Sequence, residues 1–422
     1  MKNKSAQGLK RSLDLKDAVG VGLGAIIGAG IFVVTGVAAG ISGPALILSL
    51  CLAGIVATFN ALSSAQLAAV YPQSGGTYEY GYRLLNSHFG FAAGWMFLVS
   101  KISAAGVVAL GFGSYFYQLV PLGSPLALSV VAVVLLSLAN FFGIKKTGYL
   151  NLFIVFFTIL SLLYLVIAGF PEIESENFRP FAPFGIAGIA EATALLFFAF
   201  TGYARIATLA EEVKEPQRTI PRAVIITIAS AIILYFLVTL VAVGVLGAET
   251  MAASRSPLQL VSEQLEVPGI KLLITLGAST AMLGVLLSQI LGISRMLFAM
   301  GRRKDLPPVL AKVHPKYQVP HLGIFLTGGI ILLLTLFGSF EFILASAAFS
   351  ILLYYSITNV AALKQPEKER RYGRAVPILG LAGCLAMAVS LDPEVIGSGL
   401  LLLLTGFILR FLHRKFYRDN IF

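Results

Sequence analysis

Apolar positions dominate this chain in twelve stretches, at approximately 18–40, 44–70, 90–118, 125–142, 150–170, 188–211, 223–247, 269–299, 321–338, 340–362, 376–391 and 395–412. Crossing a bilayer core as a helix takes about 20 apolar residues, so the pattern predicts an all-α membrane protein with about twelve transmembrane helices. An even number of crossings places both termini on one side. The first stretch is not uniform: glycines stand at 20, 22, 24, 28, 30 and 36, too many for a continuous stable helix, and a break is predicted near Gly28-Ala29-Gly30.

A break inside hydrocarbon strands backbone N–H and C=O groups that lipid cannot satisfy. It persists against protein or around a polar ligand. Gly28 and Gly30 carry no side chain to block close approach, and a half-helix restarting at Gly30 would aim free N–H groups at an anion. The alternative is that these glycines serve only close helix packing.

The 422 residues are 57% hydrophobic and 12% charged, about half the charged share of a soluble domain. The formal charge of +11 could point to nucleic acid, but its distribution argues otherwise. With a cytoplasmic N-terminus, Arg179, Arg255 and Lys271 fall outside and Lys101, Arg205 and Arg295 fall within spans, leaving 25 of the 31 Lys and Arg on cytoplasmic segments. That is the positive-inside distribution, so no nucleic-acid partner is expected and both termini are read as cytoplasmic. The basic tail before residue 18 precedes a span too long for a signal-peptide core, so it is expected to stay. Cys51 and Cys384 are isolated in apolar stretches and read as small core residues.

Polar segments between spans carry the recognisable motifs. Ser42-Gly43-Pro44 predicts a tight external turn, and residues 71–90 predict a cytoplasmic turn followed by an interfacial helix with aromatics at headgroup level. Tyr71-Pro72-x-Ser74-Gly75-Gly76-x-Tyr78 with Gly94-Trp95 resembles the signature of the amino acid/polyamine/organocation permeases, as does Gly28-Ala29-Gly30-Ile31-Phe32. Residues 197–222 are similar to that family's sixth helix and following basic loop, and 294–307 to the end of its eighth. The resemblance covers roughly residues 12–365. It implies a five-plus-five inverted-repeat core with broken helices 1 and 6, here 18–170 and 188–362, followed by two peripheral helices in 376–412, between cytoplasmic tails 1–17 and 413–422. The second interruption is placed at Phe200-Thr201-Gly202, and segment 248–268 is expected to fold partly helical over the external face.

The resemblance further implies a secondary transporter of amino acids in the plasma membrane, with no cofactor. Two broken helices can hold an amino acid by backbone alone: beside Gly28, which leaves the approach open, N–H groups of Ala29, Gly30 and Ile31 for the carboxylate, and C=O groups of Ile26, Ala199, Phe200 and Thr201 for the ammonium. Phe198 falls at the aromatic that packs over substrate in the family. Ala204 stands where family members often carry an acid, which favours a small neutral substrate over a polyamine or other organic amine. Thr158 replaces a helix-5 lysine found in some proton-coupled relatives. A sodium site from first-break carbonyls plus hydroxyls of Ser279, Thr280 or Ser288 is the weaker option beside a proton, because buried hydroxyls usually bond their own helix.

Charged residues in or near spans complete the candidates. Glu211 and Glu212 end a helix whose dipole disfavours acids, so they are expected to pair with Lys214, Arg218, Arg295 or Arg302 as an inner gate or a static clamp. Arg205 lies close enough to the cytoplasm to snorkel. Lys101, 11 residues beyond Gly90, sits roughly 16 Å into a core about 30 Å thick, which makes it a candidate for proton coupling or for direct substrate contact. An intramembrane enzyme would need a reactive set, yet His88, His314, His321 and His413 all lie in or beside loops. An ion channel would need a repeated pore-loop signature, and none is found.

Overall fold

The computed structural model describes residues 13–72, 75–143, 148–208 and 210–419, and each of the twelve apolar stretches is helical in it. Helix 1 is split into α1a (Leu15–Ile26) and α1b (Thr35–Ser42); α2 is Leu46–Val70, α3 Ser87–Tyr117, α4 Pro125–Phe141 and α5 Gly148–Gly169. Helix 6 is α6a (Gly185–Phe197) and α6b (Ala204–Thr208); α7 is Pro216–Leu246, α8 Ile270–Arg302, α9 His321–Phe337, α10 Phe340–Lys364, α11 Ala375–Val389 and α12 Pro393–Asp419. Among the described residues there is no strand, only a parallel bridge between Leu13 and Val213. Among the described residues, eight segments are long and apolar enough to cross a membrane. The first of them, Leu15–Val70, turns at Gly43, whose φ of +62° and contact with Pro183 require glycine.

Burial separates an inner bundle from an outer shell. In the most apolar window of α3, 78% of residues are buried, against 22% in α12, so α3 is a central post and α12 a peripheral one. Helices α8 and α10 pack along α3, and α2 packs along α7. On the outside, Phe153, Ile167, Phe337 and Val389 are each more than 60% exposed, a girdle that water would penalise and lipid would not. Segment 248–268 is partly helical as expected, with Ala248–Ala252 lying against α1b and Pro257–Gln264 against α7 and α8. Both cysteines are free; Cys384 donates to Asn60 in a buried group that ties α2, α10 and α11 together.

The 71–90 segment departs from expectation. A short helix, Thr77–Tyr80, does follow the turn, but Tyr78 and Tyr80 are buried, not spread at headgroup level. For Tyr78 the reason is Asp305, fully buried just beyond α8, which accepts hydrogen bonds from the Tyr78 and Tyr82 hydroxyls and forms ion pairs with Arg410 (3.0 Å) and Arg414 (3.2 Å) of α12. Arg410 is 4% exposed and lies 4.7 Å over the Phe91 ring. Burial, with Asp305 next in effect, raises both tyrosine phenols above their ordinary range, so they remain neutral donors. Ser74, within the same motif, lies outside the described residues.

Removing one member of a buried ion pair leaves the other charge uncompensated. Asp305→Ala is therefore expected to destabilise the protein by about 3–5 kcal/mol, read as a lowered thermal midpoint in detergent. Arg414→Ala, at a half-exposed partner, is expected to shift it far less.

Candidate functional site

The break in helix 1 is where the glycines place it. After Ile26 the chain leaves helical geometry at Ile27 (φ −75°, ψ 105°), and it restarts as a π turn over Gly30–Val34. The first bond of the restarted helix runs from the Phe32 N–H to the Gly28 carbonyl at 3.5 Å, so the N–H groups of Ala29, Gly30 and Ile31 lie ahead of it. All of Gly28 to Val34 is buried.

Helix 6 is interrupted too, but by tightening: Phe198–Tyr203 is a 3-10 turn, and the residues that cap it, Phe197 and Ala204, keep right-handed helical geometry. The two interruptions press backbone on backbone. A Cβ at Gly202 would stand 2.3 Å from the Ala25 carbonyl group, and one at Gly30 would stand 2.6 Å from the Ala199 Cα. Side chains from other helices take up the carbonyls that result. Tyr235 of α7 donates to the Ile26 carbonyl (2.9 Å), Tyr355 of α10 to the Thr201 carbonyl (3.3 Å) and Tyr115 of α3 to the Phe32 carbonyl (2.6 Å). Two of the carbonyls expected to face an ammonium, Ile26 and Thr201, are thus occupied by phenols. Phe198 is buried and accepts from the Thr201 hydroxyl through its own carbonyl (3.0 Å).

A cavity of about 70 Å³ opens on the Leu15 side of this contact. Ala25 of α1a and the Thr201–Arg205 stretch of helix 6 form one wall; Phe97 and Lys101 of α3 and the Val285–Ile293 stretch of α8 form the other. Lys101 Nζ lies 3.5 Å from the Thr201 hydroxyl and 6.0 Å from the Phe97 ring centre. Arg205 passes over Gly292, where a Cβ would approach its guanidinium to 3.2 Å. Ser288 and Gln289 also line the cavity, and the Gln289 Oε1 atom is buried without a hydrogen-bond partner. On the far side of the breaks, Gly36 is closed over by the Met251 and Ser254 carbonyls, and Leu258 and Val261 are buried. The cavity is therefore one-sided.

The remaining candidates do not gather there. Thr280 bonds its own helix at Leu276 (2.8 Å), and Thr158 bonds the Ile154 carbonyl (2.7 Å) while reaching Gly277 of α8 at 3.4 Å. Ser279 is buried without a partner for its hydroxyl, and Ser288 stands eight residues past Thr280, about 12 Å along the helix. Among the described residues no ion pair joins Glu212 to Lys214, Arg218, Arg295 or Arg302, and the Glu211 side chain lies outside them. Arg218 pairs with Glu215 instead, and Arg295 is exposed. What ties helix 6 to helix 1 here is backbone: the Leu13 N–H donates to the Glu212 carbonyl (3.0 Å) and the Lys214 N–H to the Leu13 carbonyl (2.9 Å).

Two interrupted helices meeting inside an all-helical membrane bundle narrow the class, and comparison with known proteins decides it. The sequence pattern of the amino acid permeases matches residues 13–407. The chain belongs to the amino acid permease family. It is a multi-pass membrane transporter, not an enzyme. This permease is 39% identical over 405 residues to an uncharacterized transporter of Mycobacterium tuberculosis, covering 94% of this chain and 90% of the relative. A branched-chain amino acid permease of Bacillus subtilis is 30% identical over 435 residues, covering 96% and 94%. A methylthioribose transporter of the same organism is 30% identical over 440 residues, covering 97% and 95%.

Sequence reasoning missed Gln289, Tyr235 and Tyr355. Each is a polar group inside an apolar span, the kind of residue that is functional or structural by default, so the signal was present. Gly30 is the sharpest point of the site. Gly30→Ala in this permease is expected to abolish substrate uptake in proteoliposomes, and adding Ala199→Gly is expected not to restore it. The second change removes the Ala199 Cβ, at 2.5 Å, but leaves its Cα at 2.6 Å.

Proposed function

We propose that this permease is a secondary transporter of small neutral amino acids working by alternating access. The observation that carries the reading is the junction of the two interruptions at Gly30 and Ala199, beside a one-sided cavity that Lys101 and Gln289 line. N–H groups at the restart of helix 1 suit a carboxylate, and carbonyls at Ile26 and Thr201, now held by phenols, suit an ammonium. Among the described residues Lys101 lines the cavity and no acid does, and Ala204 is buried where a carboxylate would favour cations. Such a lining gives a cationic amino acid or a polyamine no carboxylate to pair with. The branched-chain permease among the relatives supports an aliphatic substrate. With the basic segments read as cytoplasmic, the cavity faces inward and both termini lie inside.

Competition against labelled alanine in proteoliposomes tests this. Alanine, serine, valine and leucine are expected to compete, whereas lysine, arginine and putrescine are expected to compete at least about tenfold more weakly, a difference of ~1.4 kcal/mol. Methylthioribose belongs in the same panel because of the relative that bears its name. Putrescine as the strongest competitor would make the protein an amine carrier. Imposing an inward proton gradient separates coupling from exchange: accumulation above equilibrium is the outcome expected of proton symport, and a rate set only by internal substrate marks an exchanger.

A further inference from the structure

We infer that a cavity at the end of the bundle opposite Leu15 is a headgroup site for an anionic phospholipid, with the lipid phosphate on Arg255 and its glycerol hydroxyls on Ser114, Ser129 and Thr335. The inference goes beyond the amino acid reading above and shares only its orientation, which makes the leaflet the outer one.

Place and size are the first support. The last turns of α3 and α9 and the first turns of α4 leave a cavity of about 360 Å³ between them, and at ~10–15 Å³ for each water-sized occupant a phosphoglycerol headgroup fits with room to spare. Leu126 and Leu336 line the cavity too, and beside them Leu122 and Phe337 are 68% and 80% exposed. A polar cavity with that apolar rim suits a molecule that carries a charged headgroup on acyl chains.

Charge is the second support. Three basic residues stand at this end, and two of them have acids at hand: Lys271 pairs with Glu263 at 2.7 Å, and Arg179 lines another cavity together with Glu176 and Glu249. Arg255 lines a cavity with no acid among its described residues, and the segments that line it, 87–141, 248–269 and 321–364, are described without a gap. No described carboxylate pairs with it. The turn that carries Arg255 is held by the Ser256 N–H, which donates to the Ser254 hydroxyl (3.0 Å), and its guanidinium carbon lies 5.5 Å from the centre of the Phe340 ring. A guanidinium stacked by its face keeps its edge donors, the planar fork that matches a phosphate.

The hydroxyls decide which headgroup. Ser114 donates to the Leu110 carbonyl (3.0 Å), Ser129 to the Pro125 carbonyl (2.9 Å) and Thr335 to the Ile331 carbonyl (2.8 Å). Each has committed its proton and offers the cavity only lone pairs. A bare anion would meet these acceptors with no donor of its own. Phosphatidylglycerol brings a phosphate for Arg255 and hydroxyl donors for the acceptors, whereas phosphatidylcholine has no donor.

The test is native mass spectrometry of the full chain in detergent micelles titrated with phosphatidylglycerol or phosphatidylcholine, which reads binding without reference to transport. Arg255 is exposed and makes no hydrogen bond among the described residues, so Arg255→Gln is expected to keep the wild-type thermal midpoint in lipid-free detergent. Half-saturation by the first phosphatidylglycerol is expected to rise by about tenfold or more in Arg255→Gln, as loss of a charged hydrogen bond implies. Arg255→Lys, a charge without the fork, is expected to fall between, and Arg179→Gln to match wild type. Phosphatidylcholine is expected to bind wild type more weakly than phosphatidylglycerol, and Thr335→Val to narrow that difference. Equal half-saturation in wild type and Arg255→Gln, or an equal loss in Arg179→Gln, overturns the site. Displacement of phosphatidylglycerol by inorganic phosphate at equal concentration overturns the lipid as its occupant and leaves a soluble-anion site. None of these outcomes touches the amino acid reading, which the competition panel tests by itself.

Discussion

The site depends on one contact: helices 1 and 6 meet backbone to backbone, with Gly30 against Ala199 and Gly202 against Ala25. Helices approach this closely only where a side chain is missing, so the glycines are fixed by sterics before any ligand is considered. Close approach in turn interrupts both helices, and an interruption within hydrocarbon leaves polar groups that the protein must satisfy. Tyr115, Tyr235 and Tyr355 do so from three further helices. A phenol brings a large apolar ring with a single polar tip, which suits a position where most of the surroundings are apolar and one carbonyl is not. The junction of two helices thereby becomes a five-helix construction.

Much of this was legible in the sequence. The break after Ile26 follows from glycine spacing, and the turn at Gly43 from Ser42-Gly43-Pro44, because both are local backbone effects. The helix 6 interruption was placed correctly at Phe200-Thr201-Gly202, but its form was not legible. Whether a Gly-containing stretch opens or tightens depends on what presses against it, and here the Ala25 backbone leaves room only for a tightened turn. The same limit explains Glu212. Its place at a helix end suggested an ion pair, whereas the structure uses its backbone carbonyl to hold Leu13, a contact that no side-chain pattern announces. Tyr78 and Tyr80 looked interfacial because aromatic residues at a membrane boundary usually are; Asp305, more than 200 residues away, draws Tyr78 inward.

Two kinds of bonding divide the molecule. The Leu15 end is fastened by charge: Asp305 holds Arg410 and Arg414, and Arg303 holds both oxygens of Glu79 at 2.8 Å. Hydrogen bonds with an ionised partner are roughly twice as strong as neutral ones, and these join α8, α12 and the segment before α3 into one frame. Around the breaks, by contrast, the Ile26, Phe32 and Thr201 carbonyls bond neutral tyrosine hydroxyls. The frame is held by ion pairs and the junction's carbonyls by weaker neutral bonds, which is the distribution a moving site within a fixed scaffold requires.

That difference bears on how a ligand could shift the junction. A carboxylate reaches the Gly30 N–H only if Gly30 and Ala199 part, since the space between them does not admit even a methyl group. A ligand changes a conformational equilibrium only by binding one state better than the other. In the closed junction the Ile26 and Thr201 carbonyls already hold phenolic donors, each worth about 0.5–1.5 kcal/mol net. A ligand ammonium would exchange those neutral bonds for charge-assisted ones of about 1.5–3 kcal/mol, so each exchange favours the parted state by about 1 kcal/mol. An uncharged amine gains nothing by the exchange, and a carboxylate alone leaves the phenols in place. Selection for the zwitterion would then arise from the protein's own hydroxyls, which set the bond strength that a ligand has to exceed.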